Sequence, residues 1–276
     1  MAADADARGR DEATYPRAAP RVRPDAAPMP LLLALEARAL GAPFLALAAS
    51  PVLARAPKGD GHPVVVIPPF GAADQFTVGL RTFIRTRGYD VQKWGRSEIL
   101  GLHRLVTVAI SRVQQVRDET RQRVSLIGHS LGGVYAREVA RHIPGDIRCV
   151  VTLGSPSQDL KANYVWPMFE VATGTKVGSL PREFVEQMRT APPVPTTSIF
   201  SRSDAVVAWK SVVDRTPGQV ENVEVPGSHI GLPFNPWALY VVADRLAQPD
   251  GEWAPFRPSG LSGIMFRRAS DGGGRR

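Results

Sequence analysis

From Gly61 onward, short runs of β-branched and apolar residues alternate with segments in which apolar residues recur every three or four positions. The first pattern is typical of buried strands and the second of amphipathic helices. The predicted strands are 63–67, 89–94, 124–127, 147–153, 196–200 and 222–225. The predicted helices begin near residues 74, 102, 131, 181 and 236. Buried strands separated by helices indicate an α/β fold, a mostly parallel doubly wound sheet with helices on both faces.

The alternation and the composition of the flanking segments divide the chain into four predicted parts. Residues 1–30 are rich in Ala, Pro, Arg and Asp without apolar periodicity, which predicts disorder. Residues 31–60 are expected to form a helical extension of a main domain at 61–248. A break in the alternation at about 157–195 predicts a small cap inserted into that domain. The Gly- and Pro-rich residues 249–276 are predicted to be an irregular tail, with the last ten residues disordered.

An apolar stretch covers residues 31–49. It lies too deep in the chain for a signal peptide, and no basic region precedes it. Glu36, Arg38, Gly41 and Pro43 interrupt it, so it falls short of the about twenty apolar residues that cross a bilayer. We expect one or two short helices packed on the domain, and the alternative is an interfacial segment that contacts lipid. The expected location is cytoplasmic, with peripheral membrane association as the alternative.

The composition is that of a globular protein, with 43% hydrophobic and 22% charged residues. The net charge of +8 does not indicate a nucleic-acid partner, because the basic residues are scattered and form no basic helix face or known motif. Cys149 is the only cysteine, which leaves no disulfide framework and no cysteine-based metal site. We expect a buried thiol there and predict no cofactor and no metal site, although backbone carbonyls that bind Ca²⁺ would leave no sequence pattern.

The predicted strand at 124–127 leads into Gly128-His129-Ser130-Leu131-Gly132, a G-x-S-x-G sequence. With a strand before it and a helix after it, this pattern predicts a nucleophile elbow, a strained turn that exposes the serine hydroxyl. Glycines suit the turn because the strand and helix backbones approach closely there. Ser130 is therefore the candidate nucleophile.

A serine hydroxyl needs a base within hydrogen-bond reach to take its proton. His229 follows the last predicted strand in a loop of Gly and Ser residues, and it is the candidate base. Because side chains alternate along a strand, His129 is expected to point away from Ser130. The remaining three histidines precede a strand or lie on helices.

The base in turn needs a carboxylate that orients it and stabilises its protonated form. Asp204 directly follows the strand at 196–200 and is the candidate acid. Asp159 and Asp214 are the alternatives, although neither directly follows a strand. The order Ser, Asp, His along the chain is the order found in α/β-hydrolases.

Backbone amides supply the donors that stabilise a developing oxyanion. Leu131, which follows the nucleophile at the start of a helix, is one candidate donor. Phe70 is the other, because Pro68 and Pro69 before it have no N–H. Candidates for an apolar acyl site are aromatic residues, for which ordinary core packing is the alternative: Trp94, Tyr164, Trp166 and Phe169.

Five of the candidate residues come at or just after the end of a predicted strand: Phe70, Trp94, Ser130, Asp204 and His229. Parallel strands end at one edge of the sheet, and ligands of such sheets bind beyond that edge. The topology therefore predicts that residues scattered along the chain converge on one site.

The sequence resembles the α/β-hydrolase superfamily, in particular bacterial serine esterases and lipases. The resemblance covers about 61–247 and is carried by Gly-His-Ser-Leu-Gly-Gly at 128–133, Ser-Arg-Ser-Asp at 201–204 and Gly-Ser-His at 227–229. It implies a Ser130, Asp204 and His229 triad with oxyanion amides at Phe70 and Leu131. Pro68-Pro69 stands where the family often has His-Gly, which leaves the oxyanion geometry less defined.

The resemblance implies a hydrolase that cleaves small-molecule or lipid carboxylic esters through an acyl-enzyme on Ser130, a reaction of lipid metabolism that needs no cofactor. The same triad also serves acyltransferases and thioesterases, and a non-catalytic binding protein of this fold is a third alternative. The oligomeric state is not indicated by the sequence.

Overall fold

In the computed structural model, which describes residues 30–95, 102–161, 163–174, 176, 178 and 180–271, six parallel strands form one sheet. The strands are β1 (Pro63–Ile67), β2 (Asp90–Gln92), β3 (Val124–His129), β4 (Ile147–Leu153), β5 (Thr196–Phe200) and β6 (Val220–Glu224). Their order in the sheet is β2-β1-β3-β4-β5-β6, and all neighbouring pairs are parallel. The predicted parallel sheet is confirmed. The order reverses between β1 and β3, which is the position where ligands bind in sheets of this type.

The helices surround the sheet. They are α1 (Ala42–Ala48), α2 (Ser50–Leu53), α3 (Val78–Thr86), α4 (Leu102–Thr120), α5 (Leu131–His142), α6 (Val165–Thr173), α7 (Arg182–Met188), α8 (Pro236–Leu246) and α9 (Gly260–Asp271). A 3-10 helix of 12 residues occupies Pro30–Gly41. Shorter 3-10 segments of three or four residues occupy Asp74–Thr77, Pro144–Asp146, Trp209–Ser211 and Leu232–Phe234.

Alternation of side chains along the strands divides the core into two layers. Val65 and Ile67 of β1 belong to a cluster with α4, α5 and the aromatic residues Trp166 and Phe169 of α6. Val64 and Val66 belong to a second cluster with α3 and α8 on the opposite face. Both faces of β1 are therefore buried, which explains why its sequence is continuously apolar instead of alternating.

Local signals at the helix ends are confirmed. Asn235 caps α8 as predicted, because its Oδ1 accepts hydrogen bonds from the N–H groups of Trp237 (2.9 Å) and Ala238 (3.2 Å). Pro236 occupies the first position of that helix. Gly88 follows the end of α3 with a φ of 93°, a conformation that glycine adopts without strain.

The extension consists of the 3-10 helix Pro30–Gly41 followed by α1 and α2. The structure thus has two helical segments, Pro30–Gly41 and α1, where one or two short helices were predicted for 31–49. No helix among the described residues is long and apolar enough to cross a membrane. Disorder predicted for 1–30 concerns residues outside the described part of the chain, apart from Pro30.

The irregular tail predicted for 249–276 is wrong for Gly260–Asp271, which form α9. Tertiary contacts with α8 explain the helix. The ring of Phe266 packs edge-on against Tyr240 of α8 with 6.3 Å between centroids, and Trp237 Nε1 donates to the Met265 carbonyl at 3.0 Å. The prediction was based on the Gly, Pro and Arg content, which does not reveal these contacts with α8. The remaining end of the tail, 272–276, lies outside the described residues.

A buried ion pair joins α5 to the connection between β5 and β6. Arg137 Nη1 lies 2.6 Å from Asp214 Oδ2, and the two side chains are 2% and 0% exposed. Arg137 also donates to the Thr190 carbonyl at 2.8 Å, beyond the second cap helix. Asp214, an alternative acid in the sequence, is therefore occupied by Arg137.

Removal of Asp214 should strongly destabilise the fold. We expect Asp214→Ala to lower the free energy of unfolding by about 3–5 kcal/mol, because a buried guanidinium loses its counter-charge. Glu224→Ala is the matched control, since Glu224 pairs with Arg202 at 2.9 Å on the surface and such a pair contributes about 0–1 kcal/mol. Urea unfolding followed by circular dichroism measures both, and equal losses would contradict the assignment.

Candidate active site

Ser130 lies in the tight turn between β3 and α5. Its backbone has φ 55° and ψ −126°, and only one other non-glycine residue among those described, Arg121, has a positive φ. Such a conformation costs about 1–3 kcal/mol for a residue with a side chain, and it is common at functional sites. The N–H of Ser130 donates to the Leu153 carbonyl at the end of β4, at 2.8 Å. The strained turn predicted from G-x-S-x-G is confirmed.

Close backbone packing requires glycine at 132. A Cβ atom there would overlap the carbonyl oxygens of Ile67 and Pro68. The first turn of α5 therefore lies directly against the loop that follows β1, which brings the neighbourhoods of Leu131 and Phe70 together. Neither of these two N–H groups donates a hydrogen bond to any residue that the structure describes.

The loops after β5 and β6 bring Asp204 and His229 together. Asp204 Oδ2 lies 2.7 Å from His229 Nδ1, and both residues are buried. The other carboxylate oxygen of Asp204 accepts hydrogen bonds from the N–H groups of Val206 (2.9 Å) and Val207 (2.7 Å). These bonds fix the carboxylate, which in turn fixes Nδ1–H as the donating atom of the imidazole. Asp159, the remaining alternative, accepts instead from the N–H of Lys161 within its own turn.

Ser130 and His229 both adjoin the end of β4. Ser130 bonds to Leu153, and a Cβ atom on the next residue, Gly154, would lie 2.9 Å from His229 Nδ1. Among the described residues, the His229 ring pairs with Asp204, and no hydrogen bond joins it to the Ser130 hydroxyl. Nucleophile and base are often separated in this way before a substrate binds.

Charge and burial act in opposite directions on His229. Burial alone lowers the pKa of the imidazole, while the adjacent Asp204 and the more distant Glu36 raise it, and the net pKa lies above its ordinary value. The protonated form of His229 is therefore stabilised inside the protein.

His129 contacts His229 in a way that the sequence did not predict. Its Nε2–H donates to the His229 carbonyl at 3.0 Å, and the two rings lie 5.0 Å apart. Phe76 stacks on the other side of the His129 ring, with 5.9 Å between centroids. Burial, together with the neighbouring His229, lowers the pKa of His129 to about 3, so it is neutral at physiological pH. It supports the loop that carries His229.

A small cavity beside the candidate nucleophile has room for about one water molecule. Its lining consists of Ser130, Leu131, Pro156, Asn163, Trp166 and Phe169. Two of the predicted acyl-site residues, Trp166 and Phe169, thus lie next to Ser130. Trp94 is buried in the core and Tyr164 is half-buried, and neither lines this cavity.

Phe70 and the polar residue Asn163 also contact the aromatic residues that line the cavity. The Phe70 ring packs edge-on against Phe169, with 4.9 Å between centroids. Asn163, a polar residue in the aromatic insert, accepts a hydrogen bond from the N–H of Trp166 at 2.8 Å and donates to the Leu160 carbonyl at 2.5 Å. It therefore fixes the start of α6 over the cavity.

A second serine, histidine and aspartate lie in series at the opposite edge of the sheet. His62 Nε2 is 2.7 Å from Ser125 Oγ, and His62 Nδ1 is 2.5 Å from Asp60 Oδ1. Ser125 is completely buried inside the sheet and no elbow presents it. Residue types and distances alone therefore do not define a site. Ser130 differs from Ser125 because it lies in a strained turn at the carboxyl edge and lines a cavity.

Comparisons with known proteins agree with this architecture. A family model described as PGAP1-like alpha/beta domain matches residues 97–187. Lipase B of Aspergillus fumigatus superposes with a TM-score of 0.56 at 17% identity, over 71% of this chain and 54% of that chain. A monoacylglycerol lipase of Paleococcus ferrophilus superposes with a TM-score of 0.50 at 14% identity, over 70% of this chain and 96% of that chain. No curated protein sequence matches the chain.

The sheet order and these similarities define the fold. The chain has the α/β-hydrolase fold that the sequence resemblance implies, and residues 97–187 match the PGAP1-like alpha/beta domain. It spans about half the length of the lipase B. Similarity at these identities establishes the fold, and chemistry has to be argued from the site itself.

The strain at Ser130 can be measured. We expect Ser130→Gly to be more stable than Ser130→Ala by about 1 kcal/mol, because glycine relieves a strain of about 1–3 kcal/mol and loses part of that gain to chain entropy. At Ser111, on α4, the order should be reversed by about 1 kcal/mol in favour of alanine. Equilibrium unfolding in urea of all four variants gives the comparison, and an alanine preference at both positions would refute a strained turn.

Proposed function

We propose that this protein is a serine hydrolase that cleaves carboxylic esters through an acyl-enzyme. The Ser130 hydroxyl attacks the ester carbonyl while His229 Nε2 takes its proton, and a C–O bond forms between the serine and the acyl carbon. The N–H groups of Phe70 and Leu131 stabilise the oxyanion. The ester C–O bond then breaks, and the alcohol leaves with the proton from His229.

Water completes the reaction. His229 removes a proton from a water molecule that attacks the acyl group, and the same proton returns to Ser130 as the carboxylic acid is released. Asp204 orients the imidazole and stabilises its protonated form throughout. The Trp166 and Phe169 side chains beside the nucleophile are the proposed contacts of the acyl chain.

One observation carries this proposal. A buried imidazole and carboxylate, 2.7 Å apart, adjoin a serine whose backbone is held in a strained turn at the reversal of strand order. A protein that only bound a ligand would have no use for a strained serine beside an oriented base. For this reason, we favour catalysis over a non-catalytic binding function.

Ester hydrolysis can be tested with a series of nitrophenyl esters of increasing acyl length. We expect the wild type to hydrolyse them, and Ser130→Ala to lower kcat/KM by about 10³-fold or more, because the nucleophile is lost. Ser157→Ala is the control, since Ser157 is also a buried serine of this region but does not line the cavity. Equal rates for wild type and Ser130→Ala would contradict the proposal.

The same assay separates the alternative chemistries. Formation of a methyl ester in added methanol at the expense of free acid would favour acyl transfer. A strong preference for the thioester over the oxygen ester of one acyl group would favour a thioesterase.

Lipid esters are the substrate class that the surface favours. Leu40, Phe44 and Leu47 of the extension are 80%, 74% and 72% exposed. The segment lies against the loop that carries His229, because a Cβ atom on Gly231 would be 3.4 Å from Ala39 Cα. Apolar surface next to a site favours contact with a lipid surface. We therefore propose that residues 31–49 make peripheral contact with a bilayer that supplies the substrate. The two structures compared above are of lipases, which agrees with this substrate class.

Sedimentation with phosphatidylcholine vesicles tests this contact. We expect the double variant Phe44→Ser and Leu47→Ser to bind vesicles about tenfold more weakly or worse, since the loss of apolar burial exceeds about 1.4 kcal/mol. The matched control replaces Leu261 and Ile264 on α9, which are 49% and 53% exposed, by serine. Equal binding of both double variants, or none by the wild type, would exclude a specific lipid-contacting surface.

A further inference from the structure

A carboxylate from the extension bonds to both loops that carry the proposed acid and base. Glu36 lies in the 3-10 helix Pro30–Gly41 and is only 7% exposed. Its Oε1 accepts hydrogen bonds from the N–H groups of Ala205 and His229, each at 3.1 Å. Its Oε2 accepts from the N–H of Ile230 at 2.9 Å. Because Ala205 directly follows Asp204, one side chain joins the two loops.

The charge of Glu36 suits these three partners. All three are backbone donors in irregular loops, and a buried N–H without an acceptor is strongly unfavourable. A carboxylate offers only acceptors, and charge-assisted bonds to N–H groups are stronger than neutral ones. An apolar residue at position 36 would leave the donors unpaired, and an amide would turn an NH₂ group toward one of them.

Other contacts hold the extension in place along the same loops. Arg38 Nη2 donates to the Ser203 carbonyl at 2.9 Å, one residue before Asp204. The two loops also bond to each other, because Ser201 Oγ donates to the Gly227 carbonyl at 2.7 Å. Glu36 therefore completes an already connected framework from a distant part of the chain.

We propose that Glu36 is a positioning residue of the active site, which fixes the Asp204 and His229 loops relative to each other and stabilises the protonated imidazole by its negative charge. This inference rests on the proposed function, in which His229 gains a proton as Ser130 attacks. The charged groups that face His229 are Asp204 and Glu36, and the His129 ring beside it is neutral. Loss of either carboxylate should thus lower the proton affinity of the base.

Two variants separate charge from packing. Glu36→Gln keeps an oxygen that can accept from Ala205 and His229, but it removes the charge and places an NH₂ group against the Ile230 N–H. Glu36→Ala removes all three bonds. In nitrophenyl ester hydrolysis, we expect both to lower kcat by about 10- to 100-fold with little change in KM, because the base is displaced or less stabilised.

The pH profile is the readout that a merely structural role would not move. Activity requires neutral His229, so kcat/KM rises with pH through the pKa of this residue. Without the negative charge of Glu36 the pKa falls, and the acid limb should shift to lower pH in Glu36→Gln. Glu224→Gln removes an exposed carboxylate on the neighbouring strand and should retain wild-type kcat and pH profile. Wild-type behaviour of Glu36→Gln, or a loss of activity that only follows the unfolded fraction with the acid limb unchanged, overturns the inference.

A measurement without substrate distinguishes failure of this inference from failure of the proposed function. The Nδ1–H proton of His229, hydrogen-bonded to Asp204, can be followed by NMR and identified by its absence in His229→Gln. Titration of this resonance in wild type and Glu36→Gln gives the pKa of His229 directly. If no ester is hydrolysed by the wild type, the proposed function fails, yet a lower pKa in Glu36→Gln still supports the electrostatic action of Glu36. An identical pKa in both proteins overturns it.

Discussion

The end of β3, the start of α5 and the loop after β1 approach closely at one point of the sheet, and this contact determines the rest of the site. The carbonyl groups of Ile67 and Pro68 leave no room for a side chain on Gly132, so α5 begins directly against the loop after β1. Because β3 and α5 fix both ends of the turn between them, Ser130 takes a φ of 55°. A conformation this unfavourable persists only where the surrounding packing leaves no alternative. Here that packing consists of a sheet buried on both faces.

Three buried histidines show how the surrounding charges determine proton affinity. Burial lowers the pKa of all three, since it disfavours a charged imidazole. Asp60 offsets this only in part for His62, and no carboxylate of the described residues affects His129. His229 faces two carboxylates, and their attraction exceeds the effect of burial. A hydrogen-bonded Ser, His and Asp series alone is therefore not sufficient to define an active site. The series of Ser125, His62 and Asp60 is structural, because Ser125 is completely buried.

The sequence predicted most of the architecture because buried strands carry their signal locally. The limits of Pro63–Ile67, Ile147–Leu153 and Thr196–Phe200 coincide with the apolar runs. The predicted limits of the edge strands were less accurate. β2 covers only Asp90–Gln92 of the predicted 89–94 and pairs with β1 alone, and β6 begins two residues before the predicted 222–225. The contact between Asp204 and His229 was also predicted, because the ends of parallel strands meet at one edge.

Glu36 could not be predicted, and the reason is physical. Its partners are backbone N–H groups 169 and 193 residues away, and backbone amides leave no pattern in a sequence. Within an apolar run, a carboxylate indicates only that the run is interrupted. The same limit applies to α9, whose helix depends on contacts with α8 more than on its own composition.

The extension carries both Glu36 and the exposed apolar side chains, so the position of Glu36 and the proposed contact with lipid are coupled. Only about one helical turn separates Glu36 from Leu40, so the segment cannot be rearranged at one residue without effect on the other. If lipid contact favours the arrangement in which Glu36 bonds the two loops, then the assembled loops must favour lipid contact by the same free energy. Surface binding and the geometry of His229 would then be linked through a single short segment, and neither could be changed independently.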